Sequence, residues 1–228
     1  MRLFELTGSD EELSFSPYVW RIRMALAHKG IEPERVFTRF GDKSAFAPSG
    51  SSTVPVIEDQ GQWVSDSWAI ACYLEDSYPE RPSLFGGAIG RGQAFFMKNW
   101  VDRTILAGLF PMLAADICAC LDPEDQTYFR TSREKRLGSR LEDVKANREQ
   151  ALPRFRQSLD PLRATLKDQP FICGDHPAFA DYLAFGAFVW AHCCSDFQVL
   201  DDDDLICQWR SAMFDLYGGL ARSAKRAV

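Results

Sequence analysis

The spacing of hydrophobic residues divides the first 80 positions into short alternating elements. Residues 2–6, "RLFEL", and 34–40, "ERVFTRF", predict strands, and the apolar positions of residues 18–29 between them have helical spacing. Residues 54–59, "VPVIED", and 62–64, "QWV", predict a hairpin around Gln60 and Gly61. Residues 65–78 predict a helix that begins at Ser65 or Asp66. The predicted order is βαβ, a loop over residues 41–53, and ββα.

After this region the pattern becomes helical throughout. Residues 78–92, "YPERPSLFGGAIGRG", are rich in Pro and Gly and predict a linker. Helical spacing then recurs over residues 91–121, 141–166, 181–194 and 203–217, and Pro153 and Pro161 should kink or break the second of these helices. We therefore expect an α/β domain at residues 1–80, a linker at 81–90 and an all-α domain at 91–228.

Composition and charge exclude several classes of protein. The chain has 228 residues, of which 46% are hydrophobic, enough for a substantial core. Its formal net charge of -6 argues against nucleic acid or an anionic membrane as partner. Seven cysteines, an odd number without framework spacing, indicate free thiols in a reducing compartment. With no signal-peptide pattern and no apolar run long enough to span a bilayer, we expect a cytoplasmic protein.

Several residue types that often carry chemistry lack the necessary spacing. The three histidines belong to no triad motif, and the cysteines lack the C-x-x-C spacing of zinc or redox sites, so we predict no metal site. The cysteines are expected in the core. Those considered are Cys118, Cys120, Cys173, Cys193 and Cys194. "DDDD" at residues 201–204 precedes a helix, and "REKR" at 133–136 predicts a solvated helix face.

Two serines precede the first predicted helix in "LSFSPYVW". Serine is a favoured N-cap and proline is favoured at the first helical position. Only Ser16 is followed directly by proline, so we expect Ser16 rather than Ser14 to place its hydroxyl over the helix N-terminus. Capping alone explains this serine, and a contact with a substrate is the second interpretation.

Two further motifs have both a structural and a functional interpretation. In "TVPVI", Pro55 lies one residue into a predicted strand, so either this is an edge strand or the proline faces a ligand. Asp66 and Ser67 stand at a helix start, where capping explains both residues. The same position could instead hold a carboxylate at the helix N-terminus and an ammonium group at the aspartate.

Taken together, these segments resemble the cytosolic glutathione transferases. The S-P-Y-V helix start occupies the place of C-P-Y-C in thioredoxin-fold redox proteins, and "VP" before a strand and "DS" at the next helix follow in order. Four segments are similar to the serine-type subgroup that includes bacterial β-etherases and related fungal transferases. They are "GDKSAFAPSGSSTVPVIED", "DSWAIACYLEDSYPERPSLFGG", "YFRTSREKRLG" and "FADYLAFGAFVWA".

The resemblance implies a fold, a co-substrate and a set of site residues. The fold is an α/β thioredoxin-like N-terminal domain that binds glutathione, followed by an all-α C-terminal domain, in a homodimer. Ser16 matches the catalytic serine of the family. Val54 matches the backbone partner of the cysteinyl part of glutathione, and Pro55 matches the cis-proline. Asp66 and Ser67 match the residues that hold the γ-glutamyl amine and carboxylate.

Other matches are weaker or depart from the family. Lys43 could contact the glycine carboxylate of glutathione, or it is an exposed lysine without a role. Asp181 matches a helix-capping aspartate, but Ala178 replaces its usual Ser or Thr partner. Thr53 stands where a longer polar side chain is usual. The pocket of the second substrate would draw on Phe110, Met112 and Trp190, unless these residues belong to the core.

The function implied is attack of the glutathione thiolate on a small hydrophobic or aromatic electrophile. Thiolytic cleavage of a β-aryl ether is the most specific form of this hypothesis. One alternative keeps the fold without catalysis, as a protein that binds glutathione or a hydrophobic ligand. A second alternative is a structural module for protein assembly.

Overall fold

A four-stranded mixed sheet forms the first part of the computed structural model, which describes residues 1–227. The strands lie in the order β2-β1-β3-β4. Their ranges are β1 (Arg2–Leu6), β2 (Glu34–Thr38), β3 (Val56–Asp59) and β4 (Gln62–Ser65). β1 is parallel to β2 and antiparallel to β3, and β3 is antiparallel to β4. The predicted strands and hairpin are confirmed, with β2 and β3 two residues shorter than expected.

The two faces of the sheet are covered by different elements because side chains alternate along each strand. Leu3 and Ile57 belong to the main core on the side of helices α1 (Pro17–His28) and α2 (Ser67–Ser77). Phe4 and Val56 face the other side, where Phe46 covers them. Phe46 lies in a 3-10 helix, Ser44–Ser49, within the segment that was predicted as a plain loop.

Pro55 lies outside the strand in which it was predicted. Pairing of β3 begins at Val56, opposite Phe4 of β1, so the missing N–H of the proline costs no ladder hydrogen bond. The edge-strand interpretation is also wrong, because β3 lies between β1 and β4. The peptide bond between Val54 and Pro55 is cis.

Eight helices follow in the rest of the described chain. They are α3 (Ala88–Trp100), α4 (Ala107–Ala119), α5 (Pro123–Leu137), α6 (Leu141–Ala146), α7 (Arg148–Ser158), α8 (Asp160–Asp168), α9 (Phe179–Cys194) and α10 (Leu205–Gly219). A π-helical segment, Val101–Leu106, joins α3 to α4, so the predicted long helix is nearly continuous. None of the helices in residues 1–227 is both long and apolar enough to cross a membrane.

The helical part corrects two boundaries and one burial prediction. α3 begins at Ala88, inside the predicted linker, while the division at residues 80 and 90 stays a prediction. The helix predicted over residues 141–166 breaks at Asn147 and again at Leu159, just before Pro161. Four of the five cysteines considered are buried, but Cys173 is exposed because it lies in the turn that pairs Phe171 with Gly174.

Asp181 anchors the start of α9, as its motif indicated. Its buried carboxylate accepts hydrogen bonds from the backbone N–H groups of Ile172 and Ala178, at 2.8 and 3.2 Å, and from the indole of Trp209 at 3.0 Å. The methyl group of Ala178 offers no acceptor in return, so only half of a capping box is formed.

Helices α1 and α9 approach each other closely at Gly186. A Cβ atom added there would overlap the carbonyl oxygen of Pro17, the first residue of α1. The fully buried Arg21 reinforces this contact, because its Nε donates to the carbonyl of Leu183 at 3.3 Å. The start of α1 is therefore positioned by the helical part of the chain.

We expect Gly186→Ala to destabilise the protein by about 1–3 kcal/mol, because a methyl group forces apart two packed helices. Gly92→Ala in α3 is the matched control, since nothing lies within 4 Å of its added Cβ. That change should stabilise slightly, by up to about 1 kcal/mol, through helix propensity. Urea denaturation measures both. Equal stability of the two variants would show that α1 and α9 are not in tight contact.

Candidate functional site

The strand directions bring three separated segments to one end of the sheet. β1 and β4 are both antiparallel to β3, so the ends of β1 and β4 lie beside the start of β3. The residues that follow β1 and β4, and those that precede β3, line a cleft of about 690 Å³. Its other wall comes from the π-helical segment and from α4, α5 and α9.

Ser16 lies at the N-cap of α1 and lines this cleft. Its Oγ accepts a hydrogen bond from the backbone N–H of Val19 at a long 3.4 Å. Ser14 is also buried, but it does not line the cleft, and its Oγ has no hydrogen-bond partner in residues 1–227. Of the two serines before α1, the structure therefore places only Ser16 where a hydroxyl, the helix N-terminus and open space coincide.

Asp66 and Ser67 form the second helix start at the cleft. Asp66 is the N-cap of α2, and its Oδ1 accepts from the backbone N–H groups of Trp68 and Ala69, at 2.9 and 3.1 Å. Ser65 ends β4 instead, which leaves capping to Asp66. Asp66 has a positive φ of 75°, which is costly for a residue with a side chain. Strain of this kind concentrates at functional sites.

The other residues that the sequence predicts to bind glutathione also line the cleft. Val54 and Pro55 lie between the starts of the two helices, and Thr53 precedes them. Lys43 precedes the 3-10 helix, is exposed, and has no carboxylate within 4 Å in the described chain. The site residues proposed from sequence are thus brought together in one cavity.

Two of the three expected pocket residues, Phe110 and Trp190, line the helical side of the cleft, and together with Leu106 they form its apolar wall. The rings of Phe110 and Trp190 are nearly parallel, at an angle of 12°, with centroids 6.3 Å apart. Met112 does not line this cleft; it is buried in the core and borders a second, smaller cavity. Two residues along a helix correspond to a rotation of about 200°, so Met112 faces away from Phe110.

A chain of charges connects α1 to the wall of the cleft. The buried Arg21 forms an ion pair of 2.7 Å with Asp102 in the π-helical segment, and Lys98 lies 3.0 Å from the other oxygen of Asp102. Tyr18, in the first turn of α1, packs its ring against Arg21. Burial raises the pKa of Tyr18, and the charges of Arg21 and Asp102 act on it in opposite directions. Tyr18 therefore lies among the charged groups of the cleft.

The sequence interpretation missed several side chains that line the cleft, among them Tyr18, Arg133 and Arg136. Arg133 and Arg136 were predicted on a solvated helix face, but this face of α5 closes one side of the cavity. Tyr18 lines the cavity as well and was noted only as part of a motif. The one available signal was the placement of "REKR" within a segment similar to a known family. In residues 1–227 no group of three or more His, Cys, Asp or Glu side chains is arranged to hold a metal ion.

Comparison with protein families gives two matches that together cover most of the chain. A model described as glutathione S-transferase, N-terminal domain, matches residues 15–77. A model described as glutathione S-transferase, C-terminal domain, matches residues 93–209. The second match alone spans half of the 228 residues.

Individual relatives are distant. The glutathione S-transferase-like protein ustS of Aspergillus flavus is 24% identical over 210 residues, which cover 78% of this chain and 75% of that protein. The probable glutathione S-transferase GSTU1 of Oryza sativa subsp. indica is 33% identical over 101 residues, or 40% of this chain and 44% of its own length.

Solved structures are similar over almost the whole chain. A glutathione S-transferase of Ceriporiopsis subvermispora, CsGST63524, in complex with glutathione, has a TM-score of 0.83 at 25% identity and covers 95% of this chain and 96% of its own. Glutathione transferase GSTFuA2 from Phanerochaete chrysosporium has a TM-score of 0.78 at 24% identity, covering 100% and 98%. The expected fold, an α/β thioredoxin-like part followed by an all-α part, is confirmed.

Proposed function

The chain belongs to the glutathione S-transferase family, and we propose that it transfers the sulfur of glutathione to a hydrophobic or aromatic electrophile bound in the cleft. One observation carries this proposal. The same cavity contains Ser16 at one helix N-terminus, Asp66 and Ser67 at another, and an apolar wall opposite them. A thiol-bearing peptide and an apolar partner can therefore be held side by side.

Asp66 and Ser67 would bind the γ-glutamyl end of glutathione. The start of α2 offers the carboxylate the backbone N–H of Ser67, which Asp66 does not cap, and a positive dipole end. Oδ1 of Asp66 takes both cap hydrogen bonds, which leaves Oδ2 for the ammonium group. The backbone of Val54 would pair with the cysteinyl part, and Lys43 would face the glycine carboxylate.

Ser16 would stabilise the thiolate of glutathione rather than act as a nucleophile. A free thiol has a pKa of about 8.5. Lowering this pKa by about two requires roughly 2.7 kcal/mol of preference for the thiolate over the thiol. A helix N-terminus supplies about 0.3–1 kcal/mol, or up to about 2 in favourable geometry. A hydrogen bond to a charged group adds about 1.5–3 kcal/mol. The combined range of the two contributions includes the required roughly 2.7 kcal/mol, and Ser16 places its hydroxyl at the start of α1.

Cleavage of a β-aryl ether is the specific reaction that we propose within this class. The sulfur forms a bond to the carbon that bears the ether oxygen, and the phenolate leaves with the bonding electron pair. Support comes from the apolar wall, where Phe110, Trp190 and Leu106 could hold an aryl group and exclude water. A homodimer, a cytoplasmic location and the domain division at residues 80 and 90 remain proposals.

We expect Ser67→Ala to weaken glutathione binding by about 1–3 kcal/mol, because a charged group loses a hydrogen-bond partner. Isothermal calorimetry with glutathione measures the change. Ser77→Ala is the control, since Ser77 is an exposed serine at the far end of the same helix. Unchanged affinity in Ser67→Ala would remove this residue from the binding site.

We expect Ser16→Ala to raise the pKa of bound glutathione by about one to two, through loss of a charge-assisted hydrogen bond, with little change in affinity. Thiolate absorbance titrated against pH gives the pKa. Ser14→Ala is the matched control, because Ser14 is buried two residues away and does not line the cleft. Identical titration curves for wild type and Ser16→Ala would reduce Ser16 to a helix cap.

We expect phenol release from a fluorogenic β-aryl ether that depends on both glutathione and Ser16, because the cleft holds a thiolate site beside an apolar wall. Release is followed by fluorescence, beside conjugation of 1-chloro-2,4-dinitrobenzene. Rapid conjugation without phenol release would leave a general transferase. Glutathione binding without either reaction would instead favour the non-catalytic binding protein, and absence of glutathione binding would favour a structural module.

A further inference from the structure

The cleft has the opposite charge to the chain as a whole. The formal net charge of the protein is -6, yet five basic side chains and only two carboxylates line the cavity. The basic residues are Arg39, Lys43, Lys98, Arg133 and Arg136, and the carboxylates are those of Asp66 and Asp102. A cavity lined mainly by one sign of charge concentrates ligands of the other sign.

Two of these positive charges are already compensated within the protein. Lys98 contacts Asp102 at 3.0 Å, and Arg39 lies 3.3 Å from Asp122. In contrast, neither Arg133 nor Arg136 has a carboxylate oxygen within 4 Å in the described part of the chain. The two α5 arginines therefore remain available to an anion in the cleft.

These two arginines are held against aromatic rings of the cavity wall. They lie three residues apart, on one face of α5. The guanidinium carbon of Arg136 is 5.0 Å from the ring centroid of Phe110, and that of Arg133 is 5.0 Å from the centroid of Phe129. Cation–π contacts of this kind orient a guanidinium and leave its N–H groups available as donors.

The ring next to Arg136 belongs to the apolar wall on which the second substrate would lie. Phe110 is nearly parallel to Trp190, and the guanidinium of Arg136 lies over the Phe110 ring, so aromatic surface and a cation are adjacent on this wall. A flat aromatic compound with an acidic group would match both features at once. A guanidinium also suits a carboxylate geometrically, because its planar donors can bind both oxygens.

We propose that the electrophile is an aromatic compound that bears a carboxylate, and that Arg136 and Arg133 bind this carboxylate while the ring packs beside Phe110 and Trp190. The inference rests on the proposed function, since it names the second substrate of the same cleft. In the reaction the glutathione sulfur forms a C–S bond at the electrophilic carbon, and the leaving group, a phenolate from an aryl ether or chloride from an aryl chloride, departs with the electron pair of its bond. The carboxylate is unchanged and serves only for binding.

The two carboxylates of glutathione itself would not bind to these arginines. One is assigned to the start of α2 and the other to Lys43, both on the thioredoxin-like side of the cleft. The arginines lie on the helical side, on α5. Tyr18 connects the two sides, because the charges of both Asp66 and Arg136 act on the pKa of its hydroxyl. The carboxylate site would thus lie near the thiolate without overlapping the glutathione site.

A matched pair of substrates tests the inference. 4-Chloro-3,5-dinitrobenzoate and its methyl ester share the ring and the leaving group and differ in charge. Their kcat/KM values with saturating glutathione are each divided by the uncatalysed rate. We expect wild type to favour the carboxylate about 10-fold, and Arg136→Gln or Arg133→Gln to lose about 10- to 100-fold on the carboxylate while the ester changes little. Lys135→Gln, next to Arg136 but outside the cleft, should behave as wild type.

Two results would overturn the inference. The first is an equal loss of kcat/KM on both substrates in the arginine variants, together with weaker glutathione binding by calorimetry. That result would assign the two arginines to glutathione. The second is a wild type that shows no preference for the carboxylate.

Binding separates this inference from the proposed chemistry. 3,5-Dinitrobenzoate has no leaving group, so its affinity for the glutathione-bound protein is measured without reaction. Binding that falls about 10-fold or more in Arg136→Gln supports the carboxylate site even if neither aryl chloride reacts. Equal affinity of wild type and Arg136→Gln contradicts it, whatever the catalytic activity.

Discussion

The ion pair between Arg21 and Asp102 is the interaction on which the shape of the cleft depends. Arg21 is fully buried in α1, and it donates to Asp102 of the π-helical segment and to the carbonyl of Leu183 in α9. A buried guanidinium is tolerated only with such partners, because its desolvation costs several kcal/mol. The three elements that it connects are those that hold Ser16 opposite the apolar wall. Since Gly186 lets α9 approach the first turn of α1, the backbone contact and the ion pair act at the same place.

Much of the site could be predicted from sequence because helix starts have local signatures. Ser16 before a proline, and Asp66 after a strand, mark backbone positions that depend on a few neighbouring residues. The strand order then places both helix starts at one end of the sheet. Pro55 was misassigned because a proline at the edge of an apolar run does not reveal where pairing begins, which depends on the partner strand β1.

The helical wall was less predictable because its residues are defined by what packs against them. Arg133 and Arg136 have the same spacing on α5 whether that face meets solvent or a cavity, and only the tertiary arrangement distinguishes the two. Phe110 and Met112 are both large and apolar, and the sequence alone does not assign one to the cleft and the other to the core. Cys173 was misjudged for a related reason, since a turn places its side chain at the surface.

The π-helical segment allows the nearly continuous helix formed by α3, this segment and α4 to differ in length by one residue. A π turn holds one residue more than the α turn that it replaces, since its hydrogen bonds reach five residues instead of four. Val101–Leu106 therefore takes up an additional residue without rotating α4 about its axis. In a regular helix each inserted residue would turn everything after it by about 100°, and Phe110 would leave the cleft. A homologue one residue shorter here could thus form an unbroken α-helix and still present an aromatic residue at the same point.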